Sequence, residues 1–173
     1  MRRVFCCFVL ACGGGDDPGN PADAPPGNDA FDTARCLIAG DYGDLGTKMG
    51  TTSLGPTTST IVVDPGPPRD SFFLRLASGK GVFAGGLQTG TFTLAGAELA
   101  TQTCGVCVNL LADIGNTGPQ KFYFADGGTV TLTATSPPAG SIANVTIHEV
   151  DSGGAAVPGG CTGVIDAMAF TTM

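Results

Sequence analysis

The feature of the sequence that most constrains the fold is a strict alternation of apolar and hydroxyl side chains. In residues 129–135, Thr-Val-Thr-Leu-Thr-Ala-Thr, three apolar side chains alternate with four threonines. Successive side chains of a β-strand point to opposite faces, so this pattern predicts a strand with one buried side and one solvent-facing side. Shorter runs rich in Val, Ile, Thr and Phe recur from Phe31 onward and are separated by Gly and Pro. The pattern predicts an all-β protein.

The predicted strands fill most of the chain after its N-terminal part. They are 35–40, 58–64, 71–77, 90–95, 106–114, 121–125, 129–135, 142–150 and 166–172. Residues 115–119 and 126–128 are predicted hairpin turns, and residues 96–102 a single helical turn. In strand 71–77, the side chains predicted to face inward are Phe72, Leu74 and Leu76. Arg75 and Phe73 then point outward, and the aromatic ring of Phe73 needs another part of the protein to shield it from water. This number of strands in about 140 residues predicts a single β-sandwich or jelly-roll-like domain over residues 31–173.

Composition agrees with strands and excludes one class of partner. Only two Glu and three Lys are present, so two good helix formers are scarce. Lys and Arg total 8 against 15 Asp and Glu, which gives a formal net charge of −7. Nucleic-acid binding depends on cationic side chains that neutralise phosphates, so an acidic chain is not expected to bind nucleic acid.

The N-terminus has the features of an export signal. Arg2 and Arg3 precede the apolar run 4–10, which ends in Val-Leu-Ala-Cys-Gly at residues 9–13. This segment resembles the lipobox of bacterial lipoprotein signal peptides. The resemblance implies that residues 1–11 are a signal peptide and that the thiol of Cys12 receives diacylglycerol. Gly13 after the lipidated cysteine favours, by analogy with enterobacterial sorting, the outer membrane.

Other interpretations of the N-terminus remain open. The paired arginines fit part of a twin-Arg export signal. A further alternative places Cys6, Cys7 and Cys12 in a buried first strand. Seven apolar residues are too few to span a bilayer as a helix. Residues 13–30 contain only Gly, Asp, Pro, Asn and Ala, a composition that cannot bury enough apolar surface to order itself. Residues 12–30 are therefore predicted to be a disordered tether that begins with the lipidated cysteine.

Four cysteines remain after the signal and Cys12 are set aside: Cys36, Cys104, Cys107 and Cys161. In an exported domain they predict two disulfides. If residues 104–108 are fully extended, Cys104 and Cys107 are too far apart to bridge, and each pairs with Cys36 or Cys161. If Gly105 permits a turn, a local Cys104–Cys107 bridge forms and Cys36 pairs with Cys161. The glycine favours the second arrangement.

Few residues suggest chemistry. Cys104-Gly-Val-Cys107 has the spacing of a thiol-disulfide redox centre, but it continues into a predicted strand rather than a helix. Asp41 and Asp44 lie in a Gly-rich loop and are weak candidates for a calcium site. With Asp126 and Asp151, they are the loop carboxylates from which a calcium-assisted enzyme or glycan binder would be built. His148, the single histidine, is predicted to face solvent, and Glu149 falls on the inward side of its strand. No catalytic residue and no cofactor is predicted.

The body of the chain also resembles surface lipoproteins of Gram-negative bacteria that have no assigned reaction. The resemblance lies in the strand patterns Gly-Thr-Phe-Thr-Leu at 90–94 and Ser-Ile-Ala-Asn-Val-Thr-Ile-His-Glu-Val at 141–150. It implies a location and a fold without a reaction. The expected protein is a non-enzymatic structural or binding module, lipid-anchored at the outer membrane or cell surface, or alternatively periplasmic or secreted. Its expected partners are the membrane, through the anchor, and an envelope protein or glycan.

Overall fold

The computed structural model describes residues 42–55, 57–63 and 70–173. The predicted signal peptide, Cys12, the tether, Cys36, Asp41 and the strand at 35–40 lie outside the described residues. Among the described residues, two 3-10 helices occur, at Gly81–Phe83 and Gly96–Leu99, and the second confirms the predicted helical turn. The strands are β1 (Gly43–Leu54), β2 (Thr58–Val63), β3 (Ser71–Ala77), β4 (Gly90–Thr93), β5 (Val106–Ala112), β6 (Lys121–Thr135), β7 (Pro138–Val150) and β8 (Thr162–Thr172).

Within the described ranges, seven strands close into a barrel. The hydrogen-bonded order is β6-β5-β3-β2-β1-β8-β7, and β7 pairs back onto β6. An odd number of strands cannot close with antiparallel pairs alone, because the directions alternate around the ring. The parallel pairing of β1 with β8 resolves this, while the other neighbours run antiparallel. The remaining strand, β4, pairs only with the C-terminal half of β6.

The prediction of a β-sandwich or jelly roll is wrong, and the segment 126–128 shows why. It is not a hairpin turn, because 121–125 and 129–135 form one long strand, β6. The register to β7 shifts on both sides of Gly127, and Gly128 has a φ of +113°. A Cβ on Gly128 would lie 2.6 Å from Cα of Val145. Such bulges bend and twist a strand, so β6 can curl and keep pairing with β7 until the sheet closes.

Strand β1 was not predicted, because it lacks an alternating apolar pattern. Its residues, Gly-Asp-Leu-Gly-Thr-Lys-Met-Gly-Thr-Thr-Ser-Leu, are mostly exposed or half-buried, and only Gly50 is buried. A Cβ on Gly50 would lie 3.0 Å from the side chain of Ile61, so the backbone itself packs against β2. The N-terminal half of β1 pairs with β8 and its C-terminal half with β2. The strand closes the barrel mainly through backbone hydrogen bonds, and Leu45 is its apolar side chain that packs against the core.

The interior of the barrel is filled by the side chains that the alternation predicted. Val130 and Leu132 of β6 and Val145 and Ile147 of β7 are 1 % exposed or less. The inward side chains of β3 are also confirmed: Phe72, Leu74 and Leu76. At one end, Phe83 and Phe92 meet edge to face, with ring centroids 4.9 Å apart. The predicted turn near 115–119 is confirmed by mutual hydrogen bonds between Gly115 and Gly118.

Candidate binding groove on the outer face

The structure pairs Cys104 with Cys107 in a local disulfide, with Cα atoms 5.4 Å apart. The arrangement in which each of them pairs with a distant cysteine is therefore wrong. The chain bends at Gly105, between the two cysteines, and this bend brings their sulfur atoms together. Cys161 is disulfide-bonded as well, and its partner lies outside the described residues. The Cys36–Cys161 pairing remains a prediction.

Arg75 lies over this disulfide on the outside of the barrel. Its Nη2 donates to the carbonyl of Thr101 at 2.6 Å and lies 3.2 Å from Sγ of Cys107. In the strand register, Arg75 stands opposite Cys107 on one side and opposite Thr60 on the other. Cys104 and Cys107 are both 0 % exposed. The disulfide is packed under Arg75, on a strand rather than at a helix N-terminus, which is unlike an exposed redox centre.

A shallow groove crosses the outer face of β2, β3, β5 and β6 beside Arg75. It consists of two depressions of about 240 and 190 Å³, which share Asn109 and Leu111. We call it the outer groove; strand residues that line it are Thr60, Phe73, Arg75, Asn109, Leu111 and Phe122, and residues 151–154 of the loop after β7 also line the smaller depression. These six residues are half-buried. Phe73, which the sequence placed outward without cover, forms part of its apolar surface.

The register fixes the spacing of side chains in the outer groove. Phe73 stands directly opposite Asn109, and Arg75 lies two residues further along β3 on the same face. Directly opposed residues have Cβ atoms about 5 Å apart, and diagonal neighbours are about 7–8 Å apart. Within the described residues, the Asn109 amide and the Thr60 hydroxyl make no hydrogen bond to another side chain or to the backbone. The groove therefore combines an apolar surface with polar groups that have unused hydrogen-bonding capacity.

A second cluster of polar residues lies at the barrel end where β3 begins and β5 ends. Asp70, 2 % exposed, accepts hydrogen bonds from the Tyr42 hydroxyl at 2.5 Å and from the backbone N–H of Asp113 at 2.8 Å. Burial raises the pKa of the Tyr42 phenol well above its ordinary value, and the bond to Asp70 and its charge add to the rise. Burial also raises the pKa of Tyr123, with the nearby charge of Glu149 as the next cause.

Glu149 lies on the inward side of β7, as its position in the alternation predicted, and is opposite Tyr123. Its Oε2 accepts from Lys121 Nζ at 3.1 Å and from the backbone N–H of Cys161 at 2.9 Å. Burial acts to raise the pKa of this carboxyl, but the Cys161 N–H and the Lys121 ammonium outweigh it and hold the pKa below its usual value. These contacts stabilise the barrel end rather than present a reactive group.

The loop carboxylates singled out in the sequence do not converge. Asp44 lies in strand β1 and not in a loop as predicted, and it accepts from the backbone N–H of Gly46 at 2.8 Å. Asp151 accepts from its own loop, at Gly153 and Ala155. Asp126 bonds to the Thr146 hydroxyl and lies 3.7 Å from Nδ1 of His148. Nowhere in residues 42–55, 57–63 or 70–173 do three His, Cys, Asp or Glu side chains meet in a way that suits a metal ion.

Two further observations bear on the class of protein. Comparison of the chain with protein-family models, with curated proteins and with solved structures gives no match. Across the described ranges, no helix has the length and apolar character needed to cross a membrane. The fold and the site together define a disulfide-bearing β-barrel with an external groove, and its function has to be inferred from the chemistry of its residues.

Proposed function

We propose that the protein is a lipid-anchored, non-enzymatic binding module of the bacterial envelope, held by its tether at the outer membrane or cell surface. The observation that carries the proposal is the oxidised state of every described cysteine: Cys104 with Cys107, and Cys161. Structural disulfides persist in oxidising compartments outside the cytosol. This chemistry supports export, and the lipobox-like segment at residues 9–13 supplies a route for it.

Binding is favoured over catalysis by how the polar groups are used. Asp44 accepts a hydrogen bond from Gly46 within strand β1, Asp151 accepts from its own loop, and Glu149 is paired with Lys121. A hydrolase of glycans needs two carboxylates held at a set separation. Asp44, Asp126 and Asp151 each make their hydrogen bonds with different residues and do not form such a pair. The outer groove instead offers an apolar surface with hydrogen-bonding groups, the usual composition of a ligand site.

Intact mass spectrometry of the full chain, expressed in a Gram-negative host, tests the proposal. We expect a mass that fits cleavage before Cys12 plus a diacylglycerol and a fatty acyl group. Reduction should raise the mass by about 4 Da, one hydrogen for each thiol of two bridges. Cys12→Ser should abolish the lipid mass, whereas Cys7→Ser, inside the predicted signal peptide, should leave the mature mass unchanged. A product that retains Met1 and free thiols would contradict both anchoring and export.

A further inference from the structure

We infer that the outer groove binds an acidic saccharide, a uronate ring whose carboxylate meets Arg75 and whose hydroxyls meet Asn109 and Thr60. The inference rests on the proposed function, since it names the ligand class of that binding module. Arg75, Asn109 and Thr60 line one depression of about 240 Å³ on the outside of the barrel. Phe73 and Leu111 supply its apolar surface.

Arg75 is held in place before a ligand arrives. Its Nη2 is fixed by the carbonyl of Thr101 and lies against both sulfurs of the disulfide, 3.2 Å from Cys107 and 3.5 Å from Cys104. Its Nη1 makes no hydrogen bond within the described residues. The Nε is buried and Nη2 is engaged, so Nη1 is the donor that a ligand carboxylate would meet, in a charge-assisted hydrogen bond. A fixed cation in a chain of net charge −7 marks a specific anion contact rather than a broad basic surface.

The groups around Arg75 suit a sugar ring. Asn109 lies diagonally from Arg75 on the same sheet face, and Thr60 lies directly opposite it. With Cβ atoms about 5–8 Å apart, the three side chains can reach different substituents of one sugar ring. The amide of Asn109 both donates and accepts, as ring hydroxyls require. The C–H face of the sugar would rest on Phe73. The adjoining depression of about 190 Å³ is also lined by Asp151, so a second ring there would turn its hydroxyls, and not its carboxylate, toward that side chain.

The strand pairing disfavours an extended peptide as the occupant. Peptides commonly bind to sheets by adding a strand to an exposed edge, where backbone groups are free. The outer groove lies over β3 and β5, which pair with each other and have further neighbours in β2 and β6. Their backbone hydrogen bonds are used within the barrel. A ligand in the groove must therefore be recognised by side chains, which favours a saccharide over a peptide strand.

The test is isothermal titration calorimetry of the full chain with tri-galacturonate, compared with its methyl ester. The ester keeps the rings and hydroxyls and removes the charge. We expect the acid to bind and the ester to bind at least about tenfold more weakly, since it lacks the ionic contact. Asn109→Ala should weaken binding of the acid about fivefold, because one neutral hydrogen-bonding group is lost. Asn116→Ala, in the 115–118 turn outside the groove, is the matched control and should bind as the unmodified chain does.

Arg75→Gln should remove the preference for the acid, but it also breaks the contact to Thr101, so Asn109→Ala is the decisive variant. Equal affinity for the acid and the ester, unchanged affinity in Asn109→Ala, or no binding of either saccharide would overturn the inference. Equal affinity for a glutamate trimer would overturn the saccharide class. None of these results changes the mass-spectrometric outcome at Cys12, so failure of the ligand assignment is distinguishable from failure of the proposed function.

Discussion

Lys121 Nζ lies 3.1 Å from Oε2 of Glu149 at the end of the barrel, and the two side chains are only 11 % and 16 % exposed. The same oxygen accepts the backbone N–H of Cys161, so one carboxylate joins β6, β7 and the start of β8. Removal of one member of a pair this sheltered leaves a charge without its partner, which costs more than the loss of a surface ion pair.

Glu149→Gln should destabilise the protein at neutral pH and much less in acid. The folded-state pKa of Glu149 is lowered, so its contribution is present above the unfolded pKa of about 4.3 and is lost as pH falls through the lower folded value. At pH 7 we expect a loss of about 1–3 kcal/mol in the free energy of unfolding. Urea unfolding as a function of pH measures it, with the exposed Asp166→Asn as control. A difference that persists unchanged in strong acid would argue against this role.

The two tyrosines should resist ionisation until the protein unfolds. The chain contains only Tyr42 and Tyr123 and no Trp, so tyrosinate absorbance reports on these two alone. The folded pKa of both is raised, so stability is retained below the unfolded pKa of about 10 and declines as pH rises above it. We expect no tyrosinate signal near pH 10 and then one cooperative rise that coincides with unfolding by circular dichroism. A gradual titration centred near pH 10 in the folded protein would contradict the buried placement.

Gly81→Ala should be far more damaging than Gly79→Ala, although both glycines have positive φ, +44° and +85°. A Cβ on Gly81 would lie 1.8 Å from Oε1 of Glu98, whereas a Cβ on Gly79 has no neighbour within 4 Å. Glu98 accepts from the backbone N–H groups of Val82 and Val106, and displacement of it breaks both bonds. We expect a loss of about 1 kcal/mol for Gly79→Ala and roughly 3–5 kcal/mol for Gly81→Ala. Thermal and urea unfolding compare them; equal losses would show that backbone strain alone matters.

The Cys104–Cys107 disulfide should be reduced only when the protein unfolds. Both residues are 0 % exposed, so an attacking thiolate has no path to either sulfur. Alkylation and mass mapping after mild reductant should find the bridge intact in buffer and open in urea. The double variant with serine at both positions should lose about 2 kcal/mol, since the loop is short. Rapid reduction of the folded protein would instead favour the thiol-exchange function.

Several elements of the fold were predictable from local pattern. Residues 129–135 alternate strictly, and their inward side chains do pack in the core. The bounds of Ser71–Ala77 agree with the predicted strand because Gly and Pro punctuate it. The bulge at Gly127 and Gly128 was interpreted as a turn, since both features call for glycine with unusual φ. A bulge and a turn are distinguished here only by the partner strand: β7 pairs with β6 on both sides of Gly127 and Gly128.

The outer groove could not be predicted from the sequence either, because it is formed by residues that are distant in the chain. Phe73 was recognised as an outward aromatic residue that needs cover, but its neighbour Asn109 is 36 positions away in the chain. Strand β1 has no alternating apolar pattern from which it could be predicted. It is held by backbone hydrogen bonds and by the close approach of Gly50 to β2. Apart from β1, the local sequence alone determined the strand content, the inward faces and the alternative of a Cys104–Cys107 bridge, since these depend on side-chain period and chain flexibility. The tertiary structure decided closure, the choice of disulfide and the site, because each depends on which distant strands lie side by side.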